Sequence, residues 1–203
     1  MKTAVLIDFD DTIFDSTHFR IGHSQFWLDN CSSETNQKIA ESLNEYIKNE
    51  TPFSPNSAMT PDELRRNQAY VCKFAPQFLF TDTRDFWQNL DQEKFTPLIL
   101  TFGDRDFQHS KITALKMELP VIFLDHRDKT AEIKSWWRGD HYEINGEKFS
   151  DVILIDDRDY SFGDFDKLPR ARGFLLDRYE KFDNAKNLSK NLKIVRNFSE
   201  IVL

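Results

Sequence analysis

Cysteine is nearly missing from the chain: Cys31 and Cys72 are its whole complement. Two thiols are too few for a disulfide framework, and their separation matches no zinc-binding pattern. They are expected to be free, in a reducing compartment. An excess of basic charge is also missing. Lysine and arginine total 27 against 34 acidic residues, for a net charge of −7. A long nucleic-acid partner is therefore not expected. No apolar run approaches the roughly 18 residues of a membrane span. The apolar opening, Met1 to Ile7, is broken by Asp8, Asp10 and Asp11 before it reaches the length of a signal-peptide core. A soluble, cytoplasmic protein with no membrane partner is expected. No internal repeat is visible.

What is present suits one compact domain with a modest insertion. The chain has 203 residues, 39% hydrophobic and 14% aromatic, and its 19 phenylalanines predict a core rich in rings. Five short apolar segments read as strands: Ala4 to Ile7, Pro97 to Thr101, Val121 to Leu124, Val152 to Ile155 and Gly173 to Leu176. They are continuous rather than alternating, the pattern of parallel strands buried on both faces. Lys193 to Val195 adds a candidate edge strand. Helical stretches at Phe107 to Met117 and Lys129 to Trp137 lie between strands. The alternation predicts an α/β fold, a doubly wound, Rossmann-like parallel sheet whose strand carboxyl ends share one edge.

Asp82 to Leu90 reads as a helix returning to the core, through Phe86, Trp87 and Leu90. Before it, the stretch from Phe14 to Phe80 offers no buried strand but does show helical spacing at Ile39, Leu43 and Ile47. Thr60, Pro61 and Glu63 form a helix start with a capping box. Thr51 to Pro61, with three prolines, reads as a loop. This insertion exceeds an ordinary connection. Residues 14–80 are therefore expected to form a helical cap on a core of residues 1–13 and 81–203. Asn145-Gly146, flanked by Tyr142, Ile144 and Phe149, predicts a small hairpin.

The chemistry concentrates at strand ends. Ile7-Asp8-Phe9-Asp10-Asp11-Thr12 crowds three carboxylates at the end of a buried strand. Their repulsion calls for a counter-charge, which a hard, oxygen-coordinated divalent cation such as Mg²⁺ supplies. A polar turn with an N-cap is the plainer alternative. Two other strand ends weaken it: Thr101-Phe102-Gly103-Asp104 and Ile155-Asp156-Asp157 deliver a hydroxyl and further carboxylates to the same edge.

In these residues the chain resembles the haloacid dehalogenase superfamily over nearly its whole length. Asp8, Asp10 and Thr12 match its DxDxT motif, Thr101 its second motif, and Asp156 with Asp157 its acidic fourth motif. The third motif is a basic residue, for which Lys129 is favoured, at the start of the helix before the strand ending in Asp156. Lys134, one turn later, is the second candidate. Lys111 ranks below both because it precedes the Val121 to Leu124 strand. Where the family commonly has glycine after the second aspartate, this chain has Asp11, which tolerates turn geometry better than most residues. Whether it touches a metal is left open.

The resemblance implies a phosphatase-like enzyme. Asp8 would be the nucleophile and Asp10 the acid-base, an acid that halide-displacing members lack. Thr12, Thr101, Gly103 and Lys129 would bind the phosphoryl group. Mg²⁺ would be held by Asp8, the Asp10 carbonyl and Asp157, with Asp156 assisting. The substrate implied is a small phosphorylated metabolite, admitted under the cap. His18, Arg20, Arg65 and Arg66 are read as surface residues. A phosphomutase of the same superfamily is the alternative enzyme, and a non-catalytic phosphate-binding or regulatory module the alternative outside enzymes. Substrate identity and oligomeric state stay open.

Overall fold

The computed structural model describes residues 1–49, 51–182 and 189–203. One sheet of seven strands organises them: β1 (Lys2–Ile7), β2 (Phe95–Phe102), β3 (Val121–Leu124), β4 (Tyr142–Ile144), β5 (Glu147–Asp156), β6 (Ala171–Leu176) and β7 (Leu192–Val195). The order is β3-β2-β1-β5-β6-β7, all parallel, with β4 antiparallel to β5. All six expected strands form. The hairpin forms too, with Asn145 and Gly146 at φ 50° and 81°, the left-handed pair that a tight two-residue turn requires.

Both faces of the sheet are covered, which is why its strands carry unbroken apolar runs. Val5 and Ile7 of β1 enter one cluster with Ile99, Ile153 and Phe174. Ala4 and Leu6 enter the opposite one with Leu100, Leu154 and Tyr142. Helix α5 (Arg105–Ala114) covers the first face through Ile112, and α6 (Lys129–Ser135) the second through Ile133. From β1 the chain winds outward through β2 and β3, and then in the other direction through β5, β6 and β7. The strand order thus reverses between β1 and β5, where an open α/β sheet has its crevice.

The segment between β1 and β2 is helical: α1 (Ser16–Asn30), α2 (Ser33–Asn49), α3 (Pro61–Phe74) and α4 (Thr81–Gln88). The expected loop before α3 holds one 3₁₀ turn, Asn56–Ala58. The capping box at Thr60 and Glu63 is present, and Glu63 also accepts from the Ser32 N–H at 2.7 Å and the Thr35 hydroxyl at 2.9 Å. Hydrogen bonds, the Ser32 and Thr60 amides first, hold the Glu63 carboxyl down at about 2. Glu63 thereby joins the start of α2 to that of α3. Phe19, Val71 and Ala75 of this segment sit in the same apolar cluster as β1. No described helix is long and apolar enough to cross a membrane.

His23 of α1 is buried among rings, 4.2 Å from Trp27 and stacked 5.1 Å from Tyr70. Its Nε2 lies 2.6 Å from Asn67 Oδ1, which also accepts from Trp27 Nε1 at 2.9 Å. An amide oxygen only accepts, so this contact assigns the proton to Nε2. Burial lowers the His23 pKa from 6.5 to about 4, with Lys111 pushing the same way and Asn67 opposing. Below pH 6.5 the unfolded chain therefore takes up a proton that the folded chain refuses. This contribution of His23 lowers stability by about 2 kcal/mol at pH 5 relative to pH 7.5. Urea denaturation of the parent and of His23→Gln at both pH values isolates it, because the difference in stability between the two proteins should change by that amount.

Candidate active site

The reversal point of the sheet brings the acidic strand ends together. Asp8 directly follows β1, and its N–H donates to the Ile155 carbonyl of β5 at 2.9 Å. Asp156 ends β5 and Asp157 follows it. All three are buried, and one oxygen from each lies within 4.8 Å of the others. Lys129 reaches them from the first position of α6, where the Asp128 side chain caps the helix by accepting from the Ala131 N–H. Its ammonium donates to Asp8 Oδ1 and, at 2.5 Å, to Asp156 Oδ2. Lys134 is exposed on the outer side of α6. Of the candidate lysines, Lys129 is therefore the one that meets Asp8.

Charge in this cluster is unevenly matched. Burial pushes the Asp8 carboxyl well above the usual carboxylate range, Asp156 and Asp157 add to the rise, and Lys129 opposes it. Burial works against the Lys129 ammonium, but Asp156 and Asp8 outweigh it and its pKa is raised. The Asp157 carboxyl is pushed up to about 7, mainly by burial, against the pull of Arg158 and Lys181. Arg158 Nε lies 3.1 Å from Asp157 Oδ2, yet both Asp157 oxygens are buried without a hydrogen-bond partner among the described residues. The distance alone makes an ion pair, not an aligned hydrogen bond. An anion so placed, beside two more carboxylates, fits a hard cation taking oxygen ligands.

Asp11 is occupied elsewhere. It adopts φ 59°, the left-handed turn that glycine favours. Its carboxylate accepts from the Thr17 N–H at 2.9 Å and from Arg158 Nη2 at 3.2 Å. Asp11 thus tethers Arg158 beside Asp157 and is not in the cation-sized cluster.

Asp10 has a separate set of partners. Its carboxylate, 31% exposed, accepts from Ser16 Oγ, Lys111 Nζ at 2.5 Å and Gln108 Nε2 at 2.6 Å. Burial raises its pKa, but Lys111 with these hydrogen bonds reverses the shift and holds the group below the usual carboxylate range. Lys111 is itself buried, its ammonium 4.9 Å from the ring centre of Phe107 and 5.2 Å from that of Phe9. Lys111 thus meets Asp10 while Lys129 meets Asp8, because α5 starts at the carboxyl edge of the sheet. From there, one face of the helix returns to Asp10.

Other candidates separate. Asp8, Asp10, Lys129, Asp156 and Asp157 border one cavity, together with Tyr46, Phe102, Arg127, Arg158, Tyr160 and Ser161. Thr101, at the end of β2, and Thr12 are buried and do not line it. Thr12 Oγ1 has no partner among the described residues. Gly103 lines a neighbouring pocket, where a Cβ would come within 2.8 Å of Gln108 Nε2. Arg20 lines that pocket as well. His18 pairs with Asp15, Arg65 with Asp62, and Arg66 with the Asn30 carbonyl, all exposed.

No protein-family model matches the chain, and no curated protein matches it in sequence. Solved structures do match in three dimensions. A haloacid dehalogenase-like hydrolase from Burkholderia xenovorans LB400 superposes with a TM-score of 0.67 at 14% identity, over 97% of this chain and 93% of that one. A HAD hydrolase from Bacillus subtilis, solved bound to magnesium, gives 0.58 at 13% identity over 98% and 96%. A phosphoserine phosphohydrolase-like protein from Francisella tularensis gives 0.54 at 14% identity over 98% and 97%. Together with the sheet order, these matches identify the chain as having the fold of the haloacid dehalogenase-like hydrolases.

Proposed function

We propose that the chain hydrolyses phosphate monoesters with Mg²⁺, through an aspartyl phosphate on Asp8. The observation that carries this reading is the buried trio Asp8, Asp156 and Asp157, with both Asp157 oxygens lacking a hydrogen-bond partner among the described residues. Asp8 attacks phosphorus and the ester P–O bond breaks. Asp10, on the same cavity wall, gives its proton to the leaving alkoxide. A water then attacks the phosphoryl group of the acyl phosphate. Asp10 takes its proton, and Asp8 leaves as carboxylate. Lys111 favours the anionic Asp10 needed in the second step, and an arriving phosphate, by like-charge repulsion, favours the protonated form needed in the first. Lys129 supplies an ammonium to the phosphoryl oxygens. Asp8, Asp156 and Asp157, with the Asp10 carbonyl, would hold Mg²⁺, whose charge offsets repulsion between Asp8 and the phosphate when it is bound.

The matched fold includes proteins described as dehalogenase-like and as phosphohydrolase-like. Asp10 and the acid trio support the latter reading here, because halide needs no proton on departure. The helices between β1 and β2 would serve as the cap, bringing Tyr46 of α2 to the cavity wall. The test is inorganic phosphate release from p-nitrophenyl phosphate and small alkyl phosphates. Activity should vanish in EDTA and return with Mg²⁺. Full turnover in exhaustively chelated protein would show that the acid trio holds no essential metal.

A further inference from the structure

We infer that the alcohol portion of the substrate carries an aromatic ring, seated in the pocket beside Asp10; this rests on the hydrolase reading above. Asp10 borders two cavities, the one containing Asp8 and a second beneath α1 and α2, and Tyr46 and Phe102 also border both. An acid that protonates the leaving oxygen sits between phosphorus and leaving group. With the phosphoryl group at Asp8 and Lys129, the alcohol therefore extends past Asp10 into the second pocket.

That pocket is walled by rings from several elements. Trp27 of α1, Phe53 of the loop after α2 and Phe107 of α5 are linked in turn, 6.0 Å from Trp27 to Phe53 and 6.1 Å from Phe53 to Phe107, edge to face in both cases. Tyr46, Phe53, Phe102 and Phe107 are only half-buried, so ring surface is left uncovered. Most polar side chains of the pocket are already engaged. Asp10 takes Ser16, Gln108 and Lys111, and Asp104 takes the Phe107 N–H and, from outside the pocket, Ser54, which leaves Gln108 Oε1 as a buried acceptor without a hydrogen-bond partner among the described residues. A single open acceptor satisfies one hydroxyl of a polyol and leaves the others short of partners, whereas a ring gains apolar contact and edge-to-face packing. Arg20 stands at the exposed rim.

The experiment compares kcat/KM of the full chain with Mg²⁺ on benzyl, ethyl and glucose 6-phosphates. All three release a primary alcohol, so intrinsic leaving-group reactivity is similar and the attached group is the variable. Benzyl phosphate should exceed the other two by about tenfold or more, the scale expected for burying a ring. Phe53→Ala, at a half-buried loop position, should shrink that ratio to within about threefold. Equal values for benzyl and ethyl phosphates, preference for the sugar phosphate, or a ratio unmoved by Phe53→Ala would overturn the inference. If no ester is hydrolysed, the hydrolase reading fails, and calorimetric titration with benzylphosphonate and ethylphosphonate in Mg²⁺ decides the pocket separately. Binding about tenfold tighter for the benzyl compound supports it, and equal binding overturns it.

Discussion

Asp8→Asn should reduce turnover by roughly 10⁴ or more and remove any covalent phosphoenzyme. The substitution keeps the shape of the side chain at the end of β1 while replacing the attacking oxygen with an amide that cannot form the acyl phosphate. Asp10→Asn should act differently, because the nucleophile survives and only proton transfer is lost. With an alkyl phosphate the expected fall is about 10² to 10⁴. An activated aryl phosphate needs less help on departure, so hydrolysis of the intermediate becomes limiting and phosphoenzyme accumulates. Rapid-quench labelling of both variants, with mapping of the hydroxylamine-sensitive phosphate, tests the assignment. Label on Asp10 or Asp157, or an Asp8→Asn variant that labels like the parent, would refute it.

The parts of this site that were legible in the sequence are those whose positions follow from strand ends. Each buried parallel strand is a continuous apolar run, so the residue after it projects from the carboxyl edge. Asp8, Asp156 and Asp157 could be placed there from the chain alone. Lys129 was legible because a helix opening near the same edge presents its first turn to the site. The helix α1 was harder to see. Its buried face is Ser16, Phe19, His23 and Trp27, a helical spacing carried partly by polar residues, while apolar Ile21 and Leu28 are exposed. Lys111 was ranked on chain order alone, which says nothing of its contact with Asp10. Its burial depends on Phe9, Phe14, Phe107 and Asp10, three of them about a hundred residues away in the chain. The pairing of Asp11 with Arg158 is equally non-local. Local spacing carries no trace of such contacts. Thr12 and Thr101 show the converse, since matching a motif does not by itself put a hydroxyl on the cavity wall.

Lys129→Met should show how much of the acid cluster depends on one ammonium. Methionine keeps the length and flexibility of the side chain but leaves Asp8, Asp156 and Asp157 buried together without that charge. Removing one partner of a buried ion pair destabilises by about 3–5 kcal/mol, because the remaining charge keeps its desolvation penalty. In the parent, Lys129 opposes the rise in the Asp8 pKa caused by burial. Without it that pKa climbs further, so a larger share of Asp8 holds its proton and is lost as a nucleophile. The expected fall in turnover is at least about 10² to 10³. The pH dependence follows from the sign of the shift. A carboxyl whose folded pKa lies above its unfolded value makes the folded state bind more protons, so stability falls as pH rises through that range. The variant in EDTA should therefore be more stable at pH 5.5 than at pH 8. Mg²⁺ should recover part of the loss at pH 8 by restoring positive charge to the same oxygens. Lys129→Arg, charged but broader, should keep more of the stability than of the activity. Urea denaturation of the three proteins at both pH values, with and without Mg²⁺, gives the comparison. A Lys129→Met variant as stable as the parent at pH 8 in EDTA would mean that the three carboxyls are neutralised by some other group.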